Sequence, residues 1–159
     1  MKDINYEKAV LVFSDLVYRL AFLYMRNDHD AKDCCQNVFI KLLNYKKQFN
    51  DNEHLKAWLI RVTKNECCNF FKSFWKKNIQ LTAEQIVIIN EDDENKVLEI
   101  ILKLPVKYKD VLYLHYYEGY KVSEIAEILG LKDTNIKVRL KRGRDMLMKN
   151  LKEGGYDYE

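Results

Sequence analysis

VSEIAEILGLKDTNIKVRLKRGRDMLMKNL, residues 122–151, is the stretch on which the fold turns. Its first eight residues place Ile125, Ala126 and Leu129 at helical spacing, and GLK at 130–132 interrupts that period with a glycine. A second, basic helix follows. A short apolar helix, a turn of three to four residues with glycine, then a basic helix is the pattern of a helix-turn-helix whose second helix enters the major groove of DNA. Small Ala126 lets the two helices approach closely, and Asp133 or Thr134 is the expected cap of the second. At about 100° per residue, Ile136, Leu140, Gly143, Leu147 and Leu151 fall on one stripe of that second helix. The opposite face collects Thr134, Lys137, Val138, Lys141 and Arg142, with Arg139 and Arg144 on its flanks. Long donors near the helix start can reach base edges, and flanking arginines suit phosphates. A glycine on the core stripe costs about 1 kcal/mol in helix propensity, which points to close packing there.

Around this stretch the helical period continues upstream. Val97, Leu98, Ile101 and Leu102 share a face until Pro105 breaks the helix after Leu104, and a further helix spans about 105–117, stopping near Gly119. The whole block, LPVKYKDVLYLHYYEGYKVSEIAEILG followed by IKVRLKRGRDML, resembles region 4 of bacterial RNA polymerase sigma factors. The LP opening, the EG turn, EIAEILG and the K-x-R-L-x-R-x-R-x-x-L helix stand in matching order. The resemblance implies that Lys137, Val138, Lys141 and Arg142 read a −35 promoter element, while Arg139 and Arg144 touch its backbone. Thr134 and Asn135, at the start of the helix, complete the candidate −35 set. Lys121, Thr134-Asn135, Val138 and Gly143 depart from the residues usual at those positions.

A helix-turn-helix alone fits many regulators, so the first half of the chain discriminates. Apolar residues recur at helical spacing over about 4–25, 31–45 and 55–75, which makes three helices. The break KKQFNDNEH, residues 46–54, has loop composition and offers Asn50 or Asn52 as a cap. Here DHDAKDCCQNVFIKLL and FNDNEHLKAWLIRVTKN resemble region 2 of the same sigma factors. Asp30, Ala31, Asp33, Gln36, Phe39, Ala57, Trp58, Leu59, Arg61 and Asn65 match the family pattern. Resemblance to both regions, with no room for the extra segments of housekeeping sigmas, points to the extracytoplasmic-function (ECF) group. It implies that Asp33, Gln36, Phe39, Ile40 and Leu43 dock on the clamp helices of the polymerase's largest subunit. It also implies that Asn50, Asp51, Asn52, His54, Lys56, Arg61 and Asn65 meet the −10 element. Melting a promoter requires a base held outside the stack and a basic track for the single strand; Lys64, Lys72, Lys76 and Lys77 add to that track. Trp58 shares a stripe with Leu55 and Val62 and reads as core rather than as a stacking platform.

The helical wheel bears independently on the second helix. Ala31, Cys34, Cys35, Val38, Leu42 and Tyr45 fall on one face, and Asp33, Gln36, Ile40 and Leu43 on the other. The cysteines therefore face inward. Adjacent residues diverge by about 100°, so neither pair, Cys34-Cys35 or Cys67-Cys68, forms a disulfide or chelates one metal within itself. Distant pairing of Cys34 or Cys35 with Cys67 or Cys68, plus His29 or His54, is the remaining metal arrangement, and no metal site is expected. Aliphatic Ile40 and Leu43 beside polar Gln36 are an interface signal.

Composition sets the outer bounds. In 159 residues with one proline and five glycines, 48% hydrophobic and 32% charged, a mostly helical folded protein is expected. Residues 1–77 hold 14 Lys+Arg against 9 Asp+Glu, and residues 103–159 hold 12 against 9; residues 78–102 hold 1 against 6. Two basic blocks on an acidic connector suit a protein that touches a polyanion at two places. The expected architecture is all-α: a region-2 three-helix bundle at 1–77, a flexible acidic linker at 78–94, and a region-4 helix-turn-helix bundle at 95–154. The resemblance suggests that Glu91 to Glu94 thread a basic channel of the polymerase in place of RNA; simple solubility is the alternative. No signal peptide and no membrane span are evident, which places the protein in the cytoplasm. His29, His54 and His115 lack a nucleophile or carboxylate arrangement and there is no glycine-rich phosphate loop, so neither catalysis nor a cofactor is expected. The expected function is that of a sigma factor which binds core RNA polymerase and promoter DNA, with an anti-sigma factor as a further candidate partner. The alternative is a stand-alone helix-turn-helix transcriptional regulator, which leaves the first block's motifs unexplained.

Overall fold

Asparagine side chains start the first two helices. Asn5 Oδ1 accepts the Lys8 N–H at 3.1 Å and opens α1, Tyr6–Met25; Asn27 Oδ1 accepts the Asp30 N–H at 3.0 Å and opens α2, Asp28–Leu43. Between them Arg26 ends α1 in the left-handed conformation (φ 57°), its N–H returning to Phe22 O. So short a link forces α1 and α2 into an antiparallel hairpin. The hairpin is tied at both ends: the Tyr18 hydroxyl bonds to Asp28 at the closed end, and the Tyr6 hydroxyl donates to Phe39 O at 3.0 Å at the open end. The third helix, α3, Asn52–Lys76, closes the bundle with Leu55, Leu59, Ile60 and Cys67 buried. Opposite them Leu20, Ala21, Ala31 and Val38 are fully buried, so one apolar core is shared by three helices. Thr63 is also buried and satisfies its hydroxyl on Leu59 O at 2.6 Å.

The structure, a computed structural model, describes residues 5–76 and 99–153, without the side chains of 73–76. The expected linker with Glu91 to Glu94, the start of the following helix at 94–98, Lys77 and the side chain of Lys76 lie outside what is described. The described residues form two compact units on either side of that segment, and no strand occurs among them.

In the second unit, residues 99–102 are helical and end ahead of Pro105. A buried lysine covers the carbonyl of Leu102 there: Lys109 Nζ donates to Leu102 O at 3.3 Å. Helix α4, Val106–Leu112, runs into a π-helical turn, Tyr113–Tyr117, closed by the Glu118 N–H on Tyr113 O at 3.1 Å. One extra residue in that turn re-aims the tyrosines at its end, Tyr116 and Tyr117. Gly119 then takes φ 77°, a conformation that glycine adopts without a steric penalty. The helix-turn-helix is α5, Val122–Leu129, and α6, Asp133–Glu153. Gly130, at φ 69°, caps α5 with its N–H on Ala126 O, and Leu131 N also bonds Ala126 O at 2.9 Å. Ile125, Ala126, Ile136 and Leu140 are buried, so the two helices share the second core. Ile128 is buried in place of the expected Leu129, which is half-buried.

Candidate nucleic-acid interface

The basic helix α6 presents the surface that its periodicity predicts. Ile136, Leu140, Gly143 and Leu151 are buried, while Thr134, Asn135, Lys137, Val138, Lys141, Arg142 and Arg144 are exposed. Burying the first stripe leaves the second nowhere to go but outward, and Val138, an aliphatic 46% exposed among cations, is available to a thymine methyl. Arg139 is half-buried and its Nε donates to Asn135 Oδ1 at 2.7 Å, one turn back, which fixes both side chains near the helix start. Helix α6 begins at Asp133, so Asp133 and Thr134 lie within its first turn rather than ahead of it as caps. There the Asp133 carboxylate complements the positive end of the helix dipole.

Gly143 explains how α6 sits against α4. A Cβ at this position would stand 3.0 Å from Leu112 Cδ1 and 3.2 Å from Tyr108 Cβ. The helices meet there at backbone distance, and one turn beyond Leu112 the π turn brings Tyr116 beside α6. Arg144 Nη1 donates to the Tyr116 hydroxyl at 2.7 Å. Sequence reasoning missed Tyr116 altogether, because it lies outside the helix-turn-helix motif and reaches α6 only through the Gly143 contact.

In the first unit the loop between α2 and α3 gathers the expected −10 residues. Asn50, Asp51, Asn52 and His54 are all exposed. The cap of α3 is Asp51 rather than Asn50 or Asn52: its Oδ1 accepts the His54 N–H at 2.7 Å. His54 reciprocates, its Nδ1 accepting the Asn50 N–H at 3.0 Å, which places the ring proton of the neutral form on Nε2. Below this loop Phe49 is buried, with its ring 5.2 Å from Tyr45, 5.2 Å from His54 and 5.5 Å from Trp58, and Tyr45 lies 4.8 Å from Trp58. Trp58 is thus half-buried in an aromatic cluster rather than sealed in the core. Helix α2 ends at Leu43, which releases Tyr45 from the inward face expected of it and leaves it exposed in the loop. An open recess of about 320 Å³ adjoins the cluster, lined by Tyr6, Tyr45, Lys46, Lys47 and Phe49 among others. Aromatic and basic residues interleave in YKKQF, 45–49, a signal for single-strand binding that the sequence carries openly. Along α3, Arg61, Asn65, Asn69 and Lys72 form one exposed stripe, while Lys56 is half-buried.

The outer face of α2 shows Asp33 and Gln36 exposed, with Ile40 48% and Leu43 62% exposed. Phe39 corrects the expectation for this face. It is only 6% exposed, turned about 100° from Ile40 toward α1, so it supports the face rather than presenting it. Cys34 and Cys67 are buried, Cys35 and Cys68 half-buried, and all four are free. The Cys34 and Cys67 thiols hydrogen-bond across α2 and α3; that bond, with burial, holds the Cys67 thiol well above the usual range and protonated at neutral pH. His29 lies near Asp30 and Asp33, at 3.6 and 3.4 Å, rather than near any cysteine. Among the described residues no helix is long and apolar enough to cross a membrane.

Comparison with known proteins agrees with this geometry. Residues 10–77 match the family model for sigma-70 region 2, and residues 94–147 match that for sigma-70, region 4. The chain is 29% identical to the ECF RNA polymerase sigma factor SigW of Bacillus subtilis, over 89% of this chain and 86% of that one. It is 30% identical to the RNA polymerase sigma factor SigV of the same organism, over 82% and 81%. Among solved structures, the sigma factor RpoE in complex with the anti-sigma factor NepR, from Bartonella quintana, matches with a TM-score of 0.73 at 19% identity, covering 93% of this chain and 97% of that one. The structure of CnrH in complex with the cytosolic domain of CnrY matches with a TM-score of 0.65, also at 19% identity, covering 93% and 88%.

Proposed function

This chain belongs to the sigma-70 family, in its extracytoplasmic-function group, and from that premise we propose which of its residues do the work. As a sigma factor it binds core RNA polymerase and promoter DNA and directs promoter-specific initiation of transcription. In the proposed assignment Thr134, Asn135, Lys137, Val138, Lys141 and Arg142 read the −35 element from the major groove, and Arg139 and Arg144 hold its backbone. Asn50, Asp51, Asn52, His54, Lys56, Arg61 and Asn65 meet the −10 element, with the Tyr45–Phe49 recess beside them suited to a base displaced from the stack. Asp33, Gln36, Ile40 and Leu43 dock on the clamp helices of the largest polymerase subunit.

The observation that carries this reading is the division of α6 into a buried aliphatic stripe and an exposed basic one, in a chain whose other unit carries a second polar and aromatic surface. Neither unit need bind DNA tightly, because joining both to one polymerase raises the effective concentration of each at its element. The domains are assigned to 1–77 and 95–154, with 78–94 a flexible tether. The protein acts in the cytoplasm and catalyses nothing itself. An anti-sigma factor is proposed as a further partner, as RpoE has in NepR.

Run-off transcription with purified core polymerase tests the assignment. Added protein should make core initiate at defined start sites, and isolated protein should bind the same promoter weakly. Tight, sequence-specific binding without polymerase, together with no effect on core, would favour the stand-alone regulator.

A further inference from the structure

The π turn Tyr113–Tyr117 leaves an unusual residue at the surface. Tyr116 is 58% exposed, and its polar end meets an arginine of the DNA-reading helix rather than water alone. Its ring is braced from behind. The His115 ring stands edge-on to it at 4.9 Å, 77° between planes, and His115 is itself held by Nδ1 on Tyr120 O at 2.7 Å. The turn's extra residue aims the phenol toward α6, and the glycine at 143 lets α4 come close enough for it to arrive.

The arginine it meets stands in a telling place. Arg144 lies eleven residues after Asp133, about 17 Å along the helix axis at ~1.5 Å per residue. A major groove is about 12 Å wide, so a helix that enters by its N-terminus has left the groove floor at that distance and passes a phosphate strand. A free arginine side chain there would lose much of its rotamer freedom on engaging a phosphate. One already held by a hydrogen bond has less to lose.

We propose that Tyr116 is a positioning residue for DNA binding: its hydroxyl, accepting from Arg144 Nη1, holds the guanidinium toward the −35 backbone. The proposal rests on the assignment of Arg144 to that backbone. A guanidinium has five donors in a planar fork, so a single bond to Tyr116 narrows its range of positions and leaves the remaining N–H groups for a phosphate oxygen pair. The phenol is suited to this because it is neutral: it orients the cation without cancelling the charge that the phosphate needs.

The test uses holoenzyme reconstituted with core polymerase, on the promoter from which it initiates, with affinity measured across a series of KCl concentrations. Arg144→Ala should weaken binding and reduce the slope of log affinity against log salt by about 0.9, one phosphate contact. Tyr116→Phe keeps the ring and should leave thermal unfolding unchanged, while weakening binding about three- to tenfold. In the Arg144→Ala background the same substitution should cost less than about twofold, because there is no guanidinium left to hold. Tyr116→Phe binding like wild type, with Arg144→Ala weakened, would overturn the role of Tyr116 and leave the arginine's assignment standing. An equal loss from Tyr116→Phe in both backgrounds would also overturn it, since the tyrosine would then act independently of Arg144. An Arg144→Ala protein with unchanged affinity and slope would remove the backbone assignment itself, and the proposal with it.

Discussion

Lys41 Nζ of α2 lies 2.6 Å from Glu66 Oε2 of α3, and Asn37 Nδ2 donates to the other oxygen of that carboxylate at 3.3 Å. One acid thus grips α2 at two successive turns, and α2 carries the proposed polymerase face while α3 carries much of the proposed −10 surface. Glu66 is mostly shielded and Lys41 about half exposed, so the pair is worth more than a surface ion pair but is still screened by salt. Glu66→Ala should lower stability by about 1 kcal/mol, and a double-mutant cycle with Lys41→Ala should show coupling that shrinks in 1 M salt. Thermal unfolding at two ionic strengths measures it; additivity at both would show that the pair contributes nothing.

The bond between the Tyr18 hydroxyl and Asp28 makes the hairpin sensitive to pH. Burial, then the hydrogen bond to Asp28, pushes the Tyr18 phenol up from 10.0 to about 12. A folded-state value above the unfolded one means stability fully present below pH 10 and lost as pH rises through about 12. Asp28 moves the other way: the bond from Tyr18, then Lys32, holds its carboxyl below 3.8. Its contribution is present above that value and lost as pH falls through the lowered one. Tyr18→Phe should therefore flatten the alkaline decline of stability and part of the acid one. Denaturant unfolding of wild type and variant from pH 2 to 12 checks this, and parallel curves would refute it.

The two faces of α2 should separate stability from binding. Cys34→Ala with Cys35→Ala removes buried sulfur against Cys67 and should cost about 1–3 kcal/mol, leaving core polymerase binding intact in the folded fraction. Gln36→Ala with Ile40→Asp touches only exposed positions and should shift unfolding by no more than about 0.5 kcal/mol while weakening core binding. Binding to core measured alongside melting decides the matter. A cysteine variant that melts normally but fails to bind core would reverse the assignment of the faces.

Gly143 should accept one added carbon at little net cost and three only with a loss of stability. An alanine gains about 1 kcal/mol of helix propensity but meets Leu112 and Tyr108 at 3.0–3.2 Å, so Gly143→Ala should stay within about 1 kcal/mol of wild type. Gly143→Val adds branches that the α4 contact cannot admit and should destabilise by roughly 1–3 kcal/mol. It should also weaken promoter binding, since parting α4 from α6 separates Tyr116 from Arg144. Unfolding of both variants, read with promoter affinity, tests this; a valine variant as stable as wild type would show that the contact is slack.

The −10 loop shows where legibility stopped. Asn50, Asp51, Asn52 and His54 were recognisable as a polar loop ahead of a helix, but three of the four can cap a helix. Which one does depends on a helix start that shifts by a residue without changing the pattern. The same end effect released Tyr45: the apolar period continues through it, yet α2 stops at Leu43 and the tyrosine joins Phe49 and Trp58 instead. The family pattern puts Phe39 on the docking face, and only packing against the neighbouring helices encloses its ring.

What the sequence by itself determined is each helix and its inward stripe, since a 3.6-residue period and local caps act within one segment: Ile136, Leu140 and Gly143 in α6, or Ala31, Cys34 and Val38 in α2. Tertiary structure alone decided what stands opposite those stripes. Cys34 meets Cys67, Lys41 meets Glu66, and Tyr116 meets Arg144 across 25 to 33 residues of chain, because packing pairs surfaces whose separation along the chain leaves no local trace.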